Sequence, residues 1–226
     1  MLPFIHMTAQ YSNAALVAVL PFVSDFAAKL NLSITRPITK QDVKRLAISP
    51  IKDQADMGIW LTNGYWFGLN HNGYIDAFRA PKNFFAEQGE DVTKYAGKDQ
   101  MTTGEAVAMS RNILVSLGYK SESFHFKETP TLEGPSDTPQ GYMPYCRVKW
   151  VWPKSKDYPN YIQFDINTET KKCVGMEIFV ASTNNVPMRP LNIGIEPELE
   201  KDYQARTHAK IYYNTNAPQK YVPNNR

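Results

Sequence analysis

The first long pattern of apolar positions has the 3.6-residue spacing of an amphipathic helix. It runs over Asn13–Leu30, and Pro21 inside it predicts a kink or a division of that helix. Thr39 and Asp42 then have the spacing of a capping box, which predicts a second helix that ends before Pro50. The chain is therefore expected to begin with two helices.

Two Asn-Gly pairs predict two tight hairpins in the next stretch. Asn63-Gly64 and Asn72-Gly73 separate three apolar and aromatic runs between residues 57 and 79. Type I′ turns favour this dipeptide because both central residues need a positive φ. We therefore expect a three-stranded antiparallel meander. The register of these turns predicts two rows of facing residues, Trp60–Phe67–Phe78 on one face and Leu61–Trp66–Arg79 on the other.

Both faces of this meander would then be apolar, although an antiparallel sheet usually has one face in water. The pattern leaves two alternatives: another part of the protein covers the second face, or that face binds a partner.

The second half of the chain repeats the order of helix and sheet. Thr102 and Glu105 form a capping box, and Gly118 supplies the left-handed position after the helix. A strand is expected over Ser123–Lys127 and a Pro-rich loop over Glu128–Gly141. Alternating apolar and polar residues then predict three strands of a half-buried antiparallel sheet, Tyr145–Trp152, Tyr161–Asn167 and Lys172–Val180.

The two cysteines are expected to be free thiols. Alternation places Cys146 on the core face and Cys173 on the opposite face, on strands that flank a third strand. Their separation would be about 9–10 Å, whereas a disulfide needs Cα atoms within roughly 7 Å.

These elements predict an α+β fold with two lobes, each a helix plus an antiparallel meander. The expected domains are residues 1–100 for the N-terminal lobe and 101–186 for the C-terminal lobe, followed by a polar, extended tail at 187–226.

Part of the second lobe resembles a known module. The motif Thr102-Thr-Gly-Glu105-Ala106, the helix end Leu117-Gly118-Tyr119, the strand Tyr145–Trp152 and the turn Phe164–Thr170 are similar to a PepSY-type module. This resemblance implies a helix packed on a small sheet in a cystatin-like arrangement. PepSY modules are associated with peptidase propeptides and envelope proteins, where they are thought to restrain peptidases. The chain as a whole looks like secreted bacterial proteins that carry such a module, which implies a secreted, periplasmic or cell-envelope location.

Composition and charge exclude several classes of protein. The 226 residues include 25 Lys and Arg against 22 Asp and Glu, and the net charge of +3 is too small and too scattered to indicate nucleic-acid binding. The longest apolar run, Ala14–Val23, is shorter than the roughly 20 residues that span a membrane. No Lys or Arg precedes Lys29, so this run lacks the charged segment of a signal peptide.

The sequence contains few signs of catalysis. The four histidines lack metal-ligand spacing, and no nucleophile or phosphate-loop motif occurs. We therefore expect no catalytic residue, no metal and no cofactor, and an enzyme is less favoured than a binding module.

Aromatic and basic residues on the predicted strands are the candidate binding residues. Trp66 and Arg79, with Tyr65, would form an exposed patch that anchors a protein or glycan partner. Arg147 and Lys149 on the outer face of the second sheet would attract an acidic partner. Ordinary core packing and cross-strand pairing is the other interpretation of the aromatic residues.

The sequence favours a non-enzymatic, secreted or envelope-associated binding module with a protein partner, and the resemblance implies a peptidase or another enzyme as that partner. Two other classes stay open. One is a carbohydrate-interacting protein or a hydrolase with a site between the lobes, and the other is a structural component that docks through its tail.

Overall fold

A computed structural model describes the protein over residues 9–51, 54–70, 73–81, 100–119, 128–138, 141–152 and 160–179. Within these ranges two α-helices accompany an eight-stranded antiparallel sheet, so the α+β class is confirmed. The strand expected over Ser123–Lys127 and the polar tail at 187–226 lie outside the described residues.

Helix α1 spans Ala9–Lys29 and continues through Pro21, so the proline does not divide it. Proline removes the hydrogen bond to the carbonyl four residues earlier, which belongs to Val17. Val17 is 76% exposed, and Pro21 is exposed as well, so water can bind that carbonyl. The opposite side of the helix is buried and has helical spacing: Ala15, Leu16, Val19, Leu20, Val23, Phe26 and Ala27.

No helix in the described part of the chain combines the length and the apolar character needed to cross a membrane.

The capping box at Thr39 begins a single 3-10 turn, and the predicted second helix is wrong. The Thr39 N–H donates to Asp42 Oδ2 at 2.7 Å, so the box itself forms. The chain then continues as strand β1, Val43–Ile51, which pairs antiparallel with strand β2, Gln54–Leu61. Ile48 is buried in the sheet. Pairing with β2 satisfies the backbone groups of β1, so tertiary context overrides the local helix signal.

Both Asn-Gly hairpins have three loop residues, and the predicted two-residue type I′ turns are wrong. The Leu61 N–H donates to the Tyr65 carbonyl at 2.8 Å, and the Gly64 N–H donates to the Leu61 carbonyl at 3.1 Å. Gly64 has a φ of +92°, the left-handed conformation that follows a type I turn in a G1 bulge. The second hairpin closes in the same way, since the Asn70 N–H donates to the Tyr74 carbonyl at 2.9 Å.

The extra loop residue changes the register of β2 against strand β3, Trp66–Leu69. Trp60 therefore lies on the opposite face from Phe67, and Leu61 lies on the opposite face from Trp66. Both predicted rows are thus wrong at their β2 member. Between β3 and strand β4, Ile75–Arg79, a bulge compensates for the extra loop residue and restores the predicted register. The observed facing pairs are Trp60–Trp66, Ile59–Phe67, Phe67–Phe78 and Trp66–Arg79.

The predicted helix of the second half is confirmed as α2, Thr103–Ser116. The Thr102 N–H donates to Glu105 Oε2 at 2.7 Å, the Glu105 N–H donates back to Thr102 Oγ1 at 3.2 Å, and Gly118 after the helix has a φ of +89°. In the described residues after α2 there are six strands: β5 at Thr131–Glu133, β6 at Ser136–Thr138, β7 at Gly141–Met143, β8 at Tyr145–Trp152, β9 at Asn160–Asn167 and β10 at Lys172–Phe179. The segment predicted as a loop therefore contains β5 and β6.

The two meanders join edge to edge because β4 pairs with β10. The strand order of the resulting sheet is β1-β2-β3-β4-β10-β9-β8-β5, and β6 pairs with β7 apart from it. One row of apolar residues crosses all eight strands of the large sheet: Leu46, Ile59, Phe67, Phe78, Met176, Phe164, Val148 and Leu132.

Both helices pack on the face that carries this row, which we call the core face. The ring of Phe26 in α1 meets Phe67 and Phe78 edge-on, with ring centroids 5.9 and 5.4 Å apart. From α2, Ala106 and Leu114 are fully buried in the same hydrophobic cluster. Neither of these helices packs on the other face of the sheet, which carries polar, aromatic and small side chains.

Both cysteines are buried and free, so the prediction that they form no disulfide with one another is confirmed. Cys146 lies on the core face as expected. Cys173, however, pairs across Ile166 from Cys146 and shares that face, so its predicted position on the opposite face is wrong. A bulge between Cys173 and Gly175 causes the change, because one extra residue reverses the alternation of a strand.

Candidate functional site

The candidate site lies on the sheet face opposite the helices, which we call the outer face. One row of outer-face residues crosses all eight strands: Arg45, Trp60, Trp66, Arg79, Gly175, Asp165, Arg147 and Glu133. The parallel row beside it is Ala47, Gly58, Gly68, Ala77, Glu177, Gln163, Lys149 and Thr131.

The structure brings together four of the five residues that the sequence indicated. Trp66, Arg79 and Arg147 belong to the first row, and Lys149 belongs to the second. Tyr65 lies on the core face instead, where it is 4% exposed and stacks on a core phenylalanine. Its predicted place in an exposed patch with Trp66 is wrong, because adjacent residues of a strand point to opposite faces.

The first half of the outer face forms an aromatic platform, made of Arg45, Trp60, Trp66 and Arg79. The two indole rings lie 6.2 Å apart at 46°, and the Arg45 guanidinium lies 4.7 Å above the Trp60 ring. Arg45 thus supplies a guanidinium that stacks on one of the two indoles. A Cβ at Gly58 would lie 2.9 Å from the Trp60 ring, so only glycine lets this indole rest on the strand.

The second half of the outer face forms a polar groove with a volume of about 320 Å³. Its main polar side chains are Arg79, Tyr145, Arg147, Gln163, Asp165 and Glu177. Arg79 thus belongs to both the platform and the groove.

Arg147 is the centre of the hydrogen bonds in the polar groove. Its Nε donates to Asp165 Oδ1 at 3.0 Å, its Nη2 donates to the Tyr145 hydroxyl at 2.7 Å, and its Nη1 reaches Glu133 Oε2 at 3.3 Å. The Arg147 and Asp165 side chains are only 33% and 17% exposed. Contacts with three elements therefore hold this guanidinium in one position, where it is partly shielded from water.

The electrostatics keep the groove in one protonation pattern. Burial, with a smaller contribution from the negative charge of Asp165, raises the pKa of Tyr145. Burial alone would lower the pKa of Arg147, but the hydrogen bond and charge of Asp165 raise it overall. At neutral pH the groove thus presents a fixed cation and a neutral phenol, which suits recognition of a ligand.

A second network lies on the outer face and shares Glu177 with the groove. The Tyr161 hydroxyl donates to Glu177 Oε1 at 2.6 Å, and Lys149 Nζ lies 4.7 Å above the Tyr161 ring. Burial, followed by the hydrogen bond to Glu177, raises the pKa of Tyr161. Lys149 therefore stacks on an aromatic ring while it stays on the outer face.

Gly175 is the point where the platform and the groove meet. It faces Arg79 on one side and Asp165 on the other. A Cβ at Gly175 would lie 3.0 Å from Asp165 Oδ2, so the carboxylate leans over β10 toward the platform.

Sequence reasoning missed several residues of this surface. Trp60 could have been found from the alternation of Met57, Ile59 and Leu61, which places Trp60 on the other face of β2. The pairing of Asp165 with Arg147 depends on the register of two strands and has no local signal in the sequence.

Among the described residues, no group of three or more His, Cys, Asp or Glu side chains is arranged to hold a metal ion. Comparisons of this chain with protein-family models, with curated proteins and with solved structures found no match. The geometry of the outer face is therefore the basis for a functional conclusion.

Proposed function

We propose that this protein is a non-enzymatic binding module and that its outer face binds a protein partner. The single observation that carries this proposal is the row from Arg45 to Glu133, which places two tryptophans and three arginines on the sheet face opposite both described helices.

The aromatic platform has the composition of a binding hot spot. Tryptophan and arginine are enriched where protein interfaces concentrate their energy. Trp60 and Trp66 are half-buried and lie over a row of small residues, so their rings are already positioned before a partner arrives. A preformed surface of this kind loses little conformational entropy on binding.

The charges around the platform favour an acidic partner segment. Arg45 and Arg79 are exposed and flank the two indole rings along the row. In the groove, the carboxylates of Asp165 and Glu177 already accept hydrogen bonds from Arg147 and Tyr161. The partner would thus place an apolar side chain on the indoles and carboxylates beside the exposed arginines.

The resemblance to PepSY-type modules supports an enzyme, such as a peptidase, as the partner to be restrained. The resemblance covers the capped helix α2 and the meander β8–β10. A cystatin-like, two-lobed arrangement is part of this proposal. The same resemblance supports a secreted, periplasmic or cell-envelope location.

The test begins with the immobilised chain and the secreted and envelope proteins of the source organism. Each captured protein is purified, and its affinity is measured by calorimetry against the wild type, Trp66→Ala and Arg79→Glu. Loss of a hot-spot tryptophan costs about 2 kcal/mol or more, which is roughly a thirtyfold loss of affinity. Val17→Ala is the control, because it removes an exposed apolar side chain on the helical side.

Two results would decide the proposal. It is supported if both outer-face variants fold, as judged by circular dichroism, and bind the purified partner more weakly while Val17→Ala binds as the wild type does. A partner that binds all four proteins equally would place its site elsewhere and refute the outer face.

A carbohydrate ligand is the second candidate function, since a carboxylate lies beside the platform. A Cβ at Gly68 would lie 3.1 Å from Asp76 Oδ1 and 3.3 Å from the Trp66 ring, so these two side chains are neighbours. Aromatic rings with adjacent carboxylates bind sugars through stacking and hydrogen bonds. If no protein is captured but a polysaccharide slows the wild type and not Trp66→Ala in affinity electrophoresis, this candidate replaces the first.

A further inference from the structure

Strand β1 forms one edge of the eight-stranded sheet. Among the described strands it is the first in the sheet order and has a neighbour, β2, on one side only. The backbone N–H and C=O groups on the other side of such an edge strand can pair with a further strand. The register of β1 and β2 shows which residues carry these groups.

The hydrogen bonds of β2 fix which of its residues face β1. The Leu61 N–H donates to the Tyr65 carbonyl at 2.8 Å, so the backbone groups of Leu61 point toward β3. Since the direction of these groups alternates along an antiparallel strand, those of Trp60 point toward β1. Thr62 agrees with this alternation, because its N–H donates to the Asp42 carbonyl at 2.8 Å.

The same alternation gives the residues of β1 that face the open edge. Arg45 and Ala47 pair with those residues of β2 that face β1, so their backbone groups are engaged in the ladder. The backbone groups of Leu46 and Ile48 therefore point to the open side. Pro50 has the same parity, which is the position where an edge strand tolerates a residue without an N–H.

A bulge and a proline limit the part of this edge that another strand can join. At one end the ladder is interrupted between Val43 and Arg45. At the other end Pro50 has no N–H to donate. Such interruptions protect an edge against non-specific pairing. The window between them has two complete pairing sites, at Leu46 and Ile48, and Ala47 is its centre.

We propose that this window pairs with the same window of a second copy of the chain, antiparallel and centred on Ala47. In that register Leu46 of each copy lies opposite Ile48 of the other, and the two pairs exchange four backbone hydrogen bonds. A centre one residue earlier or later would place an open group opposite the bulge at Lys44 or opposite Pro50. The register centred on Ala47 therefore uses both pairing sites of each copy.

The side chains of the window suit a second copy. On the core face Leu46 is half-buried and packs against the hydrophobic cluster, and Ile48 belongs to that cluster. Pairing would bring these apolar side chains together and remove more of Leu46 from water. On the outer face Ala47 would meet its own copy at the two-fold axis, where a small uncharged side chain causes no repulsion.

The charges of β1 are compatible with the same register. Arg45 would lie opposite Ser49 of the second copy, and Lys44 opposite Pro50, so like charges do not face each other across the strands. Direct opposition of like charges would destabilise the pairing. The two copies of Arg45 would be offset by four residues along the strands, roughly 13 Å, which is more than the Debye length of about 8 Å at physiological salt.

This pairing would join the outer faces of two copies into one surface. A row of small residues would run through the two-fold axis into the same row of the second copy: Ala77, Gly68, Gly58 and Ala47. Trp60 and Trp66 lie beside this row in each copy. The dimer would therefore present two aromatic platforms to a partner with two equivalent sites. This consequence rests on the proposed function, whereas the pairing itself does not.

Sedimentation velocity on the full chain measures the pairing. We expect the wild type to form dimers as its concentration rises. Ala47→Glu and Ala47→Lys each place like charges face to face at the axis and should raise the dissociation constant by at least about tenfold. An equimolar mixture of these two variants places opposite charges there and should restore the dimer. Ala77→Lys is the matched control, because Ala77 lies in the same row on β4, away from the edge.

Amide hydrogen exchange read by NMR tests the register without a substitution. The amides of Leu46 and Ile48 should exchange more slowly at concentrations where the wild type is dimeric. The amides of Arg45 and Ala47 already bond to β2, so their protection should not depend on concentration. This measurement decides the question if a charged variant fails to fold.

Three results would overturn the proposal: a wild type that stays monomeric up to its solubility limit, a dimer that forms equally well in both Ala47 variants, or a mixture of these variants that stays monomeric. Concentration-dependent protection that excludes Leu46 and Ile48 would also refute it. Because every measurement uses this chain alone, each of these outcomes leaves the proposed partner site unaffected. Equally, a partner that ignores the outer face would not change the result for the dimer.

Discussion

Removal of the Phe78 ring tests whether the two meanders fold as one unit. Phe78 is fully buried on β4, the strand that joins the first meander to β10 of the second. Its ring stacks on Phe67 at 6.3 Å and meets Phe26 of α1 edge-on at 5.4 Å. Across the junction it faces Met176, so one side chain contacts α1 and both halves of the sheet.

We expect Phe78→Ala to lower the free energy of unfolding by about 3–5 kcal/mol, the range for a fully buried phenylalanine. The change is a large fraction of the roughly 5–15 kcal/mol that stabilises a typical domain. If the sheet unfolds cooperatively, β2, β3, β8 and β9 should all lose stability by the same amount, because none of them unfolds separately from the junction.

The assay combines urea unfolding with amide hydrogen exchange read by mass spectrometry on peptides from each half. Val17→Ala on the exposed side of α1 is the control and should change stability by less than about 0.5 kcal/mol. Lost protection confined to β1–β4, with β8 and β9 unchanged, would refute the reasoning and show two independent units. If Phe78→Ala does not fold, Phe78→Leu retains part of the packing and permits the same comparison.

Three further predictions follow from local contacts. Gly58→Ala should displace the Trp60 indole, shift tryptophan emission to the red and cost about 1 kcal/mol in urea unfolding, since the new Cβ would lie 2.9 Å from the ring. The hydrogen bonds from Thr102 lower the pKa of Glu105 below the ordinary glutamate value of 4.5, so the stabilisation from this carboxylate is present above that pH and is lost as the pH falls through the lower folded value. The stability difference between wild type and Glu105→Gln should thus shrink from neutral pH to about pH 3 in urea titrations. Burial raises the pKa of both Cys146 and Cys173, so Ellman's reagent should label them rapidly only after unfolding.

Each of these three predictions has its own check. Gly104→Ala is the control for Gly58→Ala: the nearest atom to its new Cβ is 3.9 Å away, and alanine in helix α2 should add up to about 1 kcal/mol of stability. Unchanged tryptophan emission in Gly58→Ala would contradict the close packing of Trp60. For Glu105→Gln, a stability difference that is constant with pH would refute the linkage. For the cysteines, rapid labelling of the native protein would mean that a thiol is accessible.

Local signals were enough to predict several elements of this protein. The side chains of Thr102 and Glu105 each accept a hydrogen bond from the other residue's backbone N–H, within a single turn. The start of α2 could therefore be inferred from four residues. The three strands of the second meander were predicted from the strict alternation of apolar and polar residues. This pattern is informative because successive side chains of a strand point to opposite faces of the sheet. Arg147 and Lys149 were placed on a strand for the same reason, whereas Trp66 and Arg79 were placed on strands by the two Asn-Gly turns.

Only the tertiary structure decided the remaining features, because each depends on a strand that is distant in sequence. The segment after Thr39 forms β1 because β2 satisfies its backbone, although the capping box before it predicts a helix. A bulge at the second hairpin reverses the alternation of side chains between the two faces and restores the facing pair of Phe67 and Phe78. The bulge before Gly175 has the same effect on β10 and turns the Cys173 side chain to the core face. The pairing of β4 with β10 places the tryptophans beside the Arg147 and Asp165 pair. Local sequence patterns thus indicated several residues of the candidate surface. The assembly of these residues into one face depends on a long-range contact between two strands, which no local pattern predicts.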